Sequence, residues 1–245
     1  MFAVSTPSTA CPKPPMRGIV RGLAVAALLL SLAAATIGMR AAEPPGDSMI
    51  VLVHVPAAWL ALLLYGAAVV GAVGTLQSPG RLPAGLLAAI APVGAAAAFL
   101  SLWTGLTSHY ARGAWWGWDA RLVCGLVLLL LFAGLIALRS GMEEPDRAER
   151  AGAVLVLTGA LNIPIIYLSV DWWQTLHERA AASVGRSPLV IGAMALMTMA
   201  FCMYAGAVVL ARLQAFQRER EAGTRNFGSA RAEGGSARTP AKEQQ

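Results

Sequence analysis

Long apolar runs separated by short charged breaks set the pattern of this chain. The stretches from Gly22 to Met39, Ser48 to Gly80, Leu82 to Ala111, Leu122 to Leu138, Ala151 to Val170 and Ser187 to Ala211 contain no Asp, Glu, Lys or Arg. Each reaches or approaches the 18 to 20 or so residues that a helix needs to cross the hydrocarbon of a bilayer. The pattern predicts an all-α, polytopic membrane protein with six transmembrane helices and little chain left for a soluble domain. Leu122 to Leu138 is the shortest run, and its helix is expected to borrow interfacial residues at both ends. Three parts follow: a mobile arm over residues 1–18, rich in Pro, Ser and Thr; a six-helix domain over 19–211; and a tail over 212–245. The tail is expected to begin as a charged helical extension and then to be largely disordered.

Only 13% of the 245 residues are charged, so where the charges stand matters more than the net charge of +6. Numbering the helices in turn puts fourteen of the nineteen Lys and Arg on the side of both termini. The remaining five are Arg40, Arg112, Arg121, Arg179 and Arg186. The positive-inside rule then makes both termini cytoplasmic and turns the loops over 107–121 and 170–187 outward. Basic charge distributed in this way points to the lipid bilayer and away from nucleic acid. Arg17 and Arg21 before an apolar run, with small residues at Ala33 to Ala35, also have the form of a cleavable signal; an uncleaved first helix is the expectation taken here.

Several residues interrupt the apolar runs. Pro56 is easiest to place in the first turn of a helix, so the second helix is expected to start near Val55 with His54 at its outer lip. Gly94 to Ala98 supplies the small side chains that let membrane helices approach closely, and Pro92 is a candidate kink. Asn162 and Pro164 lie within the fifth run, where an amide more often bonds to a neighbouring helix than to a ligand. The mixed charges of Arg139 to Arg150 read as a solvated connection. Cys11, Cys124 and Cys202 are too dispersed for a disulfide framework or a CxxC site. Met194, Met197, Met199 and Met203 read as packing, with thioether ligation the lesser alternative.

The chemistry concentrates on the outward side. All seven tryptophans and all three histidines, His54, His109 and His177, map there. The loop GAWWGWDARL places Trp115, Trp116 and Trp118 within four positions, followed by Asp119 and Arg121. A second segment, SVDWWQTLHER, brings Trp172, Trp173 and His177. An interfacial aromatic belt is the simpler explanation of outward tryptophans, but belts scatter single rings over several helix ends. A bare metal ion needs no array of indoles, and a quinone needs no pair of imidazoles, whereas haem uses both. His54 and His177 are therefore candidate metal ligands. Trp115, Trp116, Trp118, Trp172 and Trp173 are candidate stacking surfaces. Arg121 is the leading partner for a haem carboxylate, ahead of Arg112 and Arg179. Asp119 serves equally well as a haem contact or as the N-cap of the fourth helix.

GAWWGWDARL, HVPAAW at His54 to Trp59 and NIPIIYLSVDWWQTLH at Asn162 to His177 together resemble the CcmC family, haem-handling membrane proteins of cytochrome c maturation. The resemblance runs from about Ile19 to Leu210. It implies that His54 and His177 are axial ligands and that Trp115, Trp116, Trp118 and Asp119 are the family signature. It also implies haem b carried as cargo at the periplasmic face of the bacterial inner membrane, delivery to the haem chaperone CcmE, and association with CcmD and the transporter subunits CcmA and CcmB. No catalytic residue is implied. Arg112 stands where the family usually has Trp, and Val123 where it usually has Thr. The alternatives are a component of a cytochrome c haem lyase, which would generally be larger, and a membrane b-type cytochrome, which commonly buries its histidines within the bundle.

Overall fold

The computed structural model describes residues 16–41, 45–77, 85–111, 120–172 and 188–236. They form seven helices: α1 (Met16–Ala41), α2 (Pro45–Gln77), α3 (Leu86–Ala111), α4 (Ala120–Gly141), α5 (Pro145–Gly159), α6 (Asn162–Trp172) and α7 (Pro188–Ser236). Six segments are long and apolar enough to cross a membrane, and α5 and α6 together make the fifth. The six expected spans are thus present.

The helices pack through small side chains, because lipid offers no hydrophobic drive and close approach must supply dispersion contacts instead. Ala61, Ala68, Ala72, Ala91, Ala97, Ala98 and Ala153 are all buried in the core shared by α2, α3, α4 and α5. The large rings at its centre are Tyr65 and Phe132, edge to face with centroids 5.4 Å apart. Gly94 makes room for Phe132, since a Cβ there would overlap its ring. α1 lies chiefly along α7 at the side of this core.

The fifth span is broken, where the sequence pattern alone suggests one helix. Pro164 has no N–H for the Ala160 carbonyl, and Ile163 N takes that carbonyl instead, at 3.1 Å. Ala160 N in turn bonds Leu157 O at 3.2 Å. These tighter i to i−3 bonds release the Val156 carbonyl, which accepts a hydrogen bond from the Tyr65 hydroxyl at 2.9 Å. Buried Asn162 donates its Nδ2 to Cys124 O on α4 at 3.0 Å. Asn162 therefore fastens α6 to α4, as its position within an apolar run suggests.

A further difference lies at the end of the bundle away from His54. The connection between α4 and α5 is only residues 142–144, and the charged stretch is already helical from Pro145. Glu149 accepts a hydrogen bond from Gly85 N at 2.8 Å, placing a carboxylate at the N-terminus of α3, where the helix dipole favours it. At the same end, α7 continues to Ser236. Strong helix formers from Gln214 to Glu221 favour that continuation. Phe216 anchors it, with the Arg139 guanidinium 4.4 Å above its ring and Gly85 packed against it. Gly85 begins α3 at φ +86°, a conformation that favours glycine.

Candidate functional site

His54 is built more deeply into the fold than the sequence suggests. α2 begins at Pro45 and runs unbroken through Pro56, so His54 stands inside the helix and within the apolar span that starts at Ile50. The expectation of a helix starting near Val55, with His54 at its lip, is corrected. Membrane helices tolerate an internal proline because neighbouring groups compensate the freed backbone, and here Pro56 is fully buried against them.

The imidazole is half-buried and fixed from α3. Its Nδ1 lies 2.8 Å from Ser101 O and 3.1 Å from Thr104 Oγ1. A carbonyl can only accept, so Nδ1 carries the proton and the lone pair belongs to Nε2, the tautomer suited to binding iron. Thr104 donates its own hydroxyl proton to carbonyls one turn back, at 2.7 Å to Leu100 O and 3.0 Å to Ser101 O. Its oxygen lone pair is thereby turned toward Nδ1. Gly105 leaves space for the ring: a Cβ there would lie 3.2 Å from His54 Cε1 and 2.9 Å from Leu122 Cδ2. Sequence reasoning missed Ser101 and Thr104 as His54 partners. The available signal was the pair of hydroxyl residues Ser101 and Thr104, at i and i+3 on one face of α3.

His54 opens into a cavity of about 190 Å³ between α2, α3, α4 and α6. Arg121 reaches its wall from the first turn of α4 and is half-buried. A cation in that turn opposes the helix dipole, and a guanidinium so near the hydrocarbon is costly to place. Trp59, Ile166 and Tyr167 complete the side nearest α6, and the deeper wall is apolar, with Ala61, Leu62, Ala98 and Leu128. An imidazole, a cation and two aromatic side chains around an apolar well suit a flat, amphipathic, anionic ligand.

The heme exporter protein C family profile, CcmC, matches residues 9–227. The chain belongs to the CcmC family. Proteins named heme exporter protein C are 47% identical over 133 residues in Bradyrhizobium diazoefficiens, 42% over 132 in Escherichia coli strain K12 and 36% over 142 in Haemophilus influenzae. These matches cover 54%, 53% and 58% of this chain, and 51%, 53% and 58% of the relatives. The chain thus spans about half the length of the curated relatives it matches. CcmC membership and six membrane-length helices make it a multi-pass membrane protein.

Of the residues singled out in the CcmC-like motifs, the structure brings together His54, Trp59 and Arg121 at one cavity. Trp172 ends α6, with only its backbone described. Trp115, Trp116, Trp118, Asp119, Trp173 and His177 lie outside the described residues, as do Arg112, Arg179 and Cys11. His109 falls in the last turn of α3, with its backbone alone described. Cys124 is buried, Cys202 is half-buried, and neither is in a disulfide among the described residues.

Proposed function

We propose that this chain holds haem b as cargo at the periplasmic face of the bacterial inner membrane and passes it to the chaperone CcmE for cytochrome c maturation. His54 and His177 are the axial ligands. Trp115, Trp116, Trp118, Trp172 and Trp173 stack on the macrocycle, Asp119 belongs to the same loop, and Arg121 pairs with a propionate. The chain acts as a carrier without catalytic chemistry of its own, beside CcmD and the transporter subunits CcmA and CcmB. Both termini are cytoplasmic.

The observation that carries this reading is the His54 tautomer. In a CcmC-family chain, hydrogen bonding to Ser101 assigns the Nδ1 proton and hence an Nε2 lone pair, beside a cavity that also holds Arg121. Family membership and the relatives named heme exporter protein C are what favour cargo handling over electron transfer.

Haem release is the discriminating property. Mixing the haem-loaded protein with apo-CcmE should move haem to the chaperone much faster than haem leaves alone, because partner binding weakens one axial bond. Equal loss with and without CcmE contradicts hand-over. Reversible electron exchange with a quinone, without haem loss, would establish the cytochrome reading instead.

A further inference from the structure

The cavity beside His54 continues well below the imidazole. Along α2 its wall runs from His54 to Ala61 and Leu62, and along α4 from Arg121 to Leu128. Seven residues of helix correspond to about 10 Å, so a polar rim leads into an apolar well of that depth. At about 190 Å³ the well falls below the range of roughly 300–1,000 Å³ typical of pockets that enclose a whole drug-sized ligand. It has room for an edge of a macrocycle and not for all of it.

One side of this well is thin. Trp59 on α2 and Tyr167 on α6 both line it, and they are 48% and 49% exposed. α6 packs chiefly on α4, and no substantial α2–α6 packing closes the seam among the described residues. Both rings lie within membrane-length segments.

We propose that this seam is a lateral mouth through which haem dissolved in the leaflet on the His54 side slides its apolar edge into the well. Trp59 and Tyr167 flank the entrance, and Arg121 receives a carboxylate at the rim as the iron comes level with His54. The inference rests on the haem-binding reading above and adds the route of loading. Haem is favoured over a lipid acyl chain as occupant because a chain makes no use of an imidazole and a guanidinium at the rim. Haem has one apolar edge and one anionic edge, in the order that the well and its rim present.

Gly125 provides a direct test. It lines the well, and a Cβ built there meets nothing within 4 Å, so Gly125→Phe fills the space without a backbone clash at the first atom. The full chain in liposomes would be given haem either in its own bilayer or on albumin in the surrounding water, and the initial growth of the Soret band followed. Loading from the bilayer is expected to be the faster in the parent, about tenfold slower in Gly125→Phe, and altered severalfold in Trp59→Ala. Trp103→Ala, a lipid-facing change outside the well, should load at the parent rate.

Parental rates from the bilayer in both Gly125→Phe and Trp59→Ala overturn the lateral mouth while leaving haem binding intact. Faster loading from albumin than from the bilayer also overturns it. A parent that takes haem from neither source overturns the haem reading itself, and the mouth with it. If Gly125→Phe fails to fold, Trp59→Ala and Tyr167→Ala decide the question, because both rings are half exposed and carry little of the packing.

Discussion

His54 Nδ1 lies 2.8 Å from the carbonyl oxygen of Ser101, across the interface between α2 and α3. This bond sets the tautomer of the imidazole and, together with Thr104, its orientation. Partners of this kind commonly change metal affinity by about 10- to 100-fold when removed. Thr104→Val keeps the shape and the Ser101 bond but loses the hydroxyl, so haem affinity should fall by about tenfold, with a shifted midpoint potential and unchanged helix content. Haem titration and spectroelectrochemistry measure both effects.

Gly105→Ala presses on the same ring from the other side. Its Cβ at 3.2 Å from His54 Cε1 and 2.9 Å from Leu122 Cδ2 requires the imidazole or the leucine to shift. Overpacking of this sort costs about 1–3 kcal/mol. The variant should lose thermal stability in detergent and bind haem more weakly than the parent. Unchanged stability and affinity would mean that the ring is less confined than these contacts indicate.

Arg121 can be tested through the ligand as well as the protein. Arg121→Gln should weaken haem binding, and Arg121→Lys should restore only part of it, since an ammonium lacks the planar fork that fits a carboxylate. Haem with both propionates esterified should bind parent and Arg121→Gln about equally. A loss of the same size with the ester would assign Arg121 to packing.

The break in the fifth span is a separate, structural claim. Asn162→Leu removes the bond to Cys124 O, and interhelical bonds in membranes average about 0.6 kcal/mol with a maximum near 1.7. A loss of this order in unfolding free energy is expected, with haem stoichiometry retained. Loss of haem without loss of stability would instead give Asn162 a direct role at the site.

The number and placement of the membrane spans were legible from charge-free length alone, because hydrocarbon excludes charge wherever a helix crosses. The break at Ala160 and Leu161 was less so: Pro164 signals disruption, but whether a helix kinks or splits depends on Tyr65 and Asn162 finding carbonyls to bond. The start of α2 was misplaced because proline placement was weighed without its neighbours, whereas buried Pro56 is accommodated inside the helix. The charged helical start of the tail was legible, but the seat of Phe216 against Arg139 and Gly85 forms only in the folded chain. At the site, residue types in the sequence indicated His54 and Arg121. Ser101 and Thr104 become partners of His54 only where α3 packs on α2, and Tyr167 joins the cavity only where α6 packs on α4.

Two-histidine coordination is the central claim, and the visible absorption spectrum tests it most directly. The purified chain would be recorded oxidised and reduced, beside His54→Ala and His177→Ala, each with and without added imidazole. The account expects a low-spin, six-coordinate haem in the parent, a changed spectrum in both variants, and recovery of the parental bands when imidazole fills the vacated position. A parent unable to take up haem, or spectra unchanged by loss of either histidine, would contradict it.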